Sequence, residues 1–392
     1  MVSTTLAVTG AATVGGNLAV AGALSAASLS IGGTAFSAPP VCMPPRATGL
    51  FYNGSWQCQC AAHWGGVSCT VPAPWQAVNV LYLTQVCGVA CNPATGNTYI
   101  TKSGLDGTWN CHPSSGTTPM CVGMLSAAGA FSMVDRTWTS FSGINSTSGF
   151  PFLYPPDNGF PYAQNSQPVA MMAFDAAGNL YVVDSFMGRS TSAIYKITPA
   201  GVVTPLTISY STSYQSQIHG IVIVGSTVTL TTGPDHCLQR GMLSGNSLIL
   251  TVFAGTCGSG YYVDGNISNA LFDSPTGIAI DASGNVYVGD SGNFALRKIT
   301  PGGVVTTLYQ RCNKYLNQCS NVGPPVGVVV DSNGNVLFNQ QNTIKMYSGG
   351  QISTLVTIAG NSDLAYLTIM PNGTLLAADK GNNILWQVSQ TY

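Results

Sequence analysis

The chain of 392 residues holds four histidines. His219 sits in the apolar run "QIHGIVIV", and Asp235, His236 and Arg240 follow it in the sequence. An imidazole with a carboxylate and a second imidazole nearby could carry acid–base chemistry or hold a metal. A single histidine among apolar neighbours is more often structural, and no HExxH, GxSxG, P-loop or dinucleotide fingerprint accompanies it. The phrase "GDSGN" at Gly289–Asn293 imitates a serine-protease motif. "DKGNN" at Asp379–Asn383 stands in an equivalent place, so both are expected to be turns in which Asp and Asn bind local backbone. The expectation is therefore a non-enzyme with no cofactor and no metal.

Twelve cysteines, many of them close in sequence, read as disulfides formed in an oxidising compartment. Cys312 and Cys319 lie in one connection, and Cys237 and Cys257 in neighbouring ones, so each pair can bond. Cys87, Cys91, Cys111 and Cys121 stay unassigned. Asn-x-Ser/Thr triplets at Asn53, Asn145, Asn266 and Asn372 are candidate glycosylation sites.

Internal repeats supply the elements that position these residues. The clearest copy is "FDSPTGIAIDASGNVYVGDSGNFALRKITPGGVVTTL", Phe272 to Leu308. It reads as four short strands joined by "DASGN", "DSGN" and "TPGG" turns, which is one propeller blade. Further copies fall at Gly88–Val134, Met171–Leu206, His219–Phe253, Gly327–Leu355 and Ala365–Tyr392. The last has three strands, and Val78–Thr84 is expected to add the fourth and close the ring. The Phe272–Leu308 copy closely resembles NHL repeats. The expected fold is thus an all-β, six-bladed, NHL-like propeller over residues 72–392.

Strand direction divides the propeller into two faces. Tight turns such as "DAAGN" and "DSNGN" follow the first and third strands of a blade on the lower face. The upper face gathers the long connections 102–119, 135–168, 207–218, 254–275 and 309–325. Long loops on a rigid scaffold carry function. These hold exposed-type aromatics suited to sugar stacking or protein contact. The candidate ligand-binding residues are Trp138, Tyr154, Tyr162, Tyr214, Tyr261, Tyr262, Tyr315, His219 and Arg240. Metal-dependent lactonases and lyases of this fold gather their ligands at the upper starts of the inner strands. Here those are Cys87, Ala170, His219, Thr276, Val326 and Ala365, of which His219 alone is a good ligand.

Before the propeller, residues 1–38 show i, i+2 aliphatic pairs every six or so residues with glycine between them. "TTLAVTGAATVGGNLAV" resembles shaft repeats in fibre proteins of phages and large DNA viruses, which implies a β-solenoid or fibre-like stalk that self-associates, as a trimer for instance, or docks on another virion or filament protein. Residues 39–71 contain "NGSWQCQCAAHWGGVSC", which resembles the C-terminal half of an EGF-like module. That resemblance implies a disulfide-rich spacer with Cys60–Cys69 and Cys42–Cys58 bonds. Zinc held by His63 and these thiolates is a weaker alternative, since the spacing fits no common zinc motif.

Charged residues make up 6% of the chain, against roughly 25% in ordinary soluble domains. With a net charge of −1 there is no basic patch for nucleic acid. The segment before Arg46 lacks the basic start of a secretory signal, and its Ala/Gly/Ser/Thr content argues against a membrane span. Stalk, spacer and loop-rich head together imply a virion-surface or extracellular fibre protein whose head binds a host glycan or protein. Two alternatives are a structural subunit of a capsid or extracellular filament, and a secreted propeller hydrolase or lyase centred on His219.

Overall fold

In the computed structural model the described residues comprise short strands between 29 and 72, and residues 75–390 apart from 83–85, 104–119, 126–130, 134–168, 186–191, 212, 214–216, 313–318, 320–322, 361 and 383. Two compact units divide the chain, Ala77–Val388 and a unit of Met1–Gln76 with Ser389–Tyr392.

The larger unit is a β-propeller built from antiparallel sheets. The first blade runs Val86–Cys91, Thr98–Ser103, Met120–Leu125, Phe131–Met133, and the second Val169–Phe174, Leu180–Ser185, Ala193–Ile197, Val203–Pro205. The third runs Ile218–Val224, Thr227–Thr232, Cys237–Ser244, Ser247–Ala254. The fourth runs Pro275–Ile280, Val286–Asp290, Ala295–Ile299, Val304–Gln310, and the fifth Pro325–Val330, Val336–Gln340, Thr343–Ser348, Gln351–Thr357. Five blades are thus complete in consecutive strands, where six blades were expected. The last repeat ends after Leu364–Ile369, Leu375–Asp379 and Ile384–Gln390, and Trp75–Tyr82 supplies the outer strand of that sheet. The inner strand Leu364–Ile369 neighbours both Pro325–Val330 and Val86–Cys91, which closes the ring.

Two connections expected as upper loops also contribute strands. Thr207–Tyr210 pairs in parallel with Ser247–Leu250 on the outer edge of the third blade. Gly265–Asn266 pairs with Val304–Val305 on the fourth. Both cover an edge that would otherwise expose unpaired backbone groups.

Blade faces interdigitate into the core. Ile221, Ile223, Val228, Leu230 and Leu248 of the third blade pack with Tyr181, Val183 and Ile194 of the second. Ala279, Tyr287 and Leu296 of the fourth pack with Val328, Val336 and Phe338 of the fifth.

The lower-face turns share one mechanism. Asp281 Oδ1 accepts the Ser283 and Asn285 N–H groups, and its Oδ2 accepts from Asn285 Nδ2 and the Tyr287 hydroxyl. Asp175 repeats this with Ala177, Asn179 and Tyr181. Burial opposes ionisation of Asp281, but these donors win and hold its carboxyl below the usual carboxylate range.

At the upper end the inner strands share a second device. Register shifts fall between Val86 and Gly88, Ile218 and Gly220, Pro275 and Ile278, Pro325 and Val328, and Leu364 and Tyr366. Such bulges bend a strand and re-aim its side chains. Each strand here also approaches the next blade closely. A Cβ on Gly220 would overlap Thr276 O, one on Gly277 would overlap Val326 O, and one on Gly327 would come within 3.1 Å of Ala365 O. Side chains bridge the same junctions. Ser291 Oγ donates to Pro325 O at 2.6 Å, and Asn339 Nδ2 donates to Leu364 O.

In the smaller unit, Leu29–Ile31 pairs with Thr34–Phe36 and Ala47–Tyr52 with Trp56–Cys60 as antiparallel hairpins. These short hairpins do not establish the expected fibre-like stalk or EGF-like spacer. The implied Cys42–Cys58 and Cys60–Cys69 bonds lie outside the described residues.

Candidate functional site: the loop-face mouth of the channel

The inner strands surround a central cavity of ≈ 420 Å³, lined by residues such as Gly88, Met171, Ile221, Gly277, Gly327 and Tyr366. His219 lies two positions above Ile221, at the bulge that opens its strand. Its half-buried ring packs on Gly233, where any Cβ would overlap the imidazole. Burial lowers the His219 pKa below its ordinary value, so the ring is neutral near pH 7 and can take up a proton.

The turn above it starts from Gly233. Asp235 is buried, and its carbonyl accepts the Gly258 N–H. Burial raises the Tyr210 phenol, and the charge of Asp235 adds to the rise. His236 closes the turn, its N–H donating to Gly233 O, with φ of 59°. Its Nδ1 lies 3.1 Å from Asp273 Oδ1 and accepts the Ser274 N–H at 3.1 Å. The Cys237–Cys257 disulfide ties this turn to the long connection that follows the blade.

Arg240 does not belong to this group. It was expected in an upper loop, but it is the fourth residue of the strand Cys237–Ser244. There its Nε donates to Thr229 Oγ1 at 2.9 Å and its guanidinium stacks 3.3 Å from the Phe253 ring centre. It is a strand clamp, and burial lowers its pKa.

Of the expected aromatics, Tyr261 is 60% exposed. Tyr262 is half-buried, donates to Thr307 Oγ1 at 2.9 Å and lies over Arg297. Trp138, Tyr154, Tyr162, Tyr214 and Tyr315 lie outside the described residues, as do Asn53 and Asn145. Asn266 and Asn372 are exposed. The Cys312–Cys319 disulfide forms as expected, and Cys91 is a buried free thiol.

"GDSGN" is a structural turn. Asp290 Oδ1 accepts the Asp273 N–H at 2.7 Å, and Asn293 Nδ2 donates to Asp290 Oδ2 and Tyr261 O. Asp379 repeats this with Asp363, Asn382 and Trp386. Burial pushes the Asp290 carboxyl up to about 7 against the pull of Arg297 and Asn293.

Three of the inner-strand starts, Thr276, Val326 and Ala365, offer a metal no strong ligand. Thr276 Oγ1 meets Ser291 Oγ at 2.6 Å, and Val326 and Ala365 offer no donor. Among the described residues no three His, Cys, Asp or Glu side chains converge to hold one.

Sequence reasoning missed Asp273 and Ser274. They stand before Pro275 in a stretch read as loop, and no spacing announces a left-handed serine (φ 49°).

This ring and its upper-face mouth define a β-propeller. Residues 272–299 match the family model "NHL repeat". No curated protein matches the sequence. A solved gluconolactonase from Xanthomonas campestris is similar in structure, with a TM-score of 0.52 and 14% identity, over 93% of this chain and 100% of the other. A presumptive gluconolactonase is similar with a TM-score of 0.50 and 14% identity, over 82% of this chain and 93% of the other. Streptogramin B lyase follows at a TM-score of 0.47 and 15% identity, over 81% and 98%. These structures show the fold alone. The likeness to the two gluconolactonase structures nevertheless overturns the expectation of a non-enzyme, because enzymes occur on this fold. Propellers assemble a mouth from separate blades, so the absence of a linear motif excludes nothing. The expected fibre head finds no support in the fold or in these structures.

Proposed function

We propose that the propeller is a hydrolase or lyase acting at the loop-face mouth of the channel, with His219 as its general base. The observation that carries this reading is the His219 imidazole itself. It stands at the bulge that opens an inner strand, its ring packs on Gly233, and burial keeps it neutral at the pH where a base is needed. Asp235, buried in the turn that follows Gly233, is a polar group that could orient a substrate or a water. The gluconolactonases of similar fold make a cyclic ester the first substrate class to test.

The experiment is hydrolysis of a lactone panel, alongside an elimination panel, by the full chain and by His219→Gln. Loss of a positioned acid–base group costs about 10²–10⁴ in rate. The reading expects a fall of that size in kcat at unchanged Tm. It also expects activity to decline on the acid side only below about pH 6.5, since the His219 pKa is lowered from that value. Equal turnover by His219→Gln overturns it.

A further inference from the structure

The rim between the third and fourth blades carries a cluster that the chemistry of His219 does not use. His236 and Ser274, at φ 59° and 49°, are non-glycine residues held in the left-handed region. They face one another through the Ser274 N–H to His236 Nδ1 bond. Asp273 Oδ1 lies 3.1 Å from that nitrogen and accepts the Ser274 hydroxyl at 3.1 Å. The side chains of His236 and Asp273 are 26% and 13% exposed, so solvent reaches both.

The imidazole packs on Gly260, where a Cβ would come within 2.8 Å of Cε1. The next residue is Tyr261, 60% exposed. Its backbone is fixed on both sides. The Tyr261 N–H donates to Phe272 O at 3.1 Å, and its carbonyl accepts from the buried Asn293 Nδ2 at 2.9 Å. The Cys237–Cys257 bond holds the start of the same connection. An exposed aromatic residue on an immobilised backbone therefore follows directly on the glycine against which the imidazole packs, and its backbone is bonded to Phe272, the neighbour of Asp273.

We infer that this rim is a binding site for a neutral pyranose, in which Tyr261 stacks on the sugar's C–H face while Asp273, His236 and Ser274 hydrogen-bond its ring hydroxyls. A C–H face fits the negative face of a phenol ring, and a carboxylate accepts two vicinal hydroxyls where a neutral acceptor takes one less strongly. Fixing the backbone beforehand lowers the ordering cost of binding.

The test is a titration of the full chain with methyl glucoside, galactoside, mannoside and N-acetylglucosaminide, followed by calorimetry or NMR, with a glycan array for longer sugars. Saturable binding to at least one probe is expected. Tyr261→Ala should weaken it about tenfold, while Tyr261→Phe keeps the stacking face and stays within about threefold of the parent. Asp273→Asn keeps an acceptor in place for Ser274 and should also weaken binding. Met242→Ser, at an exposed position on the third blade, should change nothing. The inference is overturned if no probe binds, or if Tyr261→Ala binds as well as the parent. Binding is the readout, so the result does not depend on turnover at His219.

Discussion

Arg297 is a fully buried side chain whose guanidinium donates to Asp290 at 2.6 Å, to Asp264 at 2.8 Å and to the carbonyls of Leu271 and Val263. Phe272 and Tyr262 each have a ring centre 5.0 Å from it. It thereby joins the third strand of the fourth blade to the long upper connection. Arg297→Met would keep the volume but strip buried Asp290 of its cation, so that the carboxyl takes up a proton, and leave the Leu271 and Val263 carbonyls without their donor. That should cost about 3–5 kcal/mol in urea unfolding. Asp264 is 45% exposed, so Asp264→Asn should cost only about 0–1 kcal/mol. A second residue-scale prediction concerns acid. The folded Asp281 pKa lies below its unfolded value, so its contribution is full above about pH 4 and is lost as pH falls through the folded pKa. Asp281→Asn should therefore flatten the drop in Tm below pH 4. An unchanged drop would remove Asp281 from the acid response.

Among the elements, the inner strands depend on close approach as much as on apolar content. Gly277→Ala would drive a Cβ into Val326 O and to 2.8 Å from Val328 N, both of them backbone atoms of the next blade. Neither can swing aside as a side chain would. The expected loss is about 1–3 kcal/mol in chemical unfolding, with the fourth and fifth blades exchanging amide protons faster. Gly302→Ala, which meets only Thr300 Oγ1 at 3.8 Å, is the silent comparison. The strands and lower turns of these blades were legible because "D-x-x-G-N" and period-2 alternation encode local bonds. The clash at Gly277 was not legible, because it depends on a neighbour about fifty residues further on. The same applies to the extra outer strands Thr207–Tyr210 and Gly265–Asn266. Their partners lie some forty residues away, and nothing local separates such a strand from a loop.

At the scale of the whole molecule, a ring stores its stability in closure, and the sequence showed both the repeats and the strand that closes them. His219 was legible as a histidine at a strand start, and the disulfides at Cys237 and Cys312 as near pairs. The facing of His236, Asp273 and Ser274 was not, since two left-handed residues from separate loops produce it. Closure itself is testable. The last sheet lacks an outer strand of its own, and Trp75–Tyr82 fills that edge. A chain starting at residue 83 would leave Ile384–Gln390 as an open edge while keeping every complete blade. It should melt about 5 °C or more below a chain starting at Pro72, since several backbone hydrogen bonds of about 1 kcal/mol each are lost. It should also self-associate in solution, because an unpaired edge recruits another strand. Adding a peptide spanning residues 72–84 should restore both the melting temperature and the monomer mass. If the shorter chain instead melts with the longer one and stays monomeric, the strand is a passenger, and the five complete blades with a three-stranded sheet suffice to hold the ring.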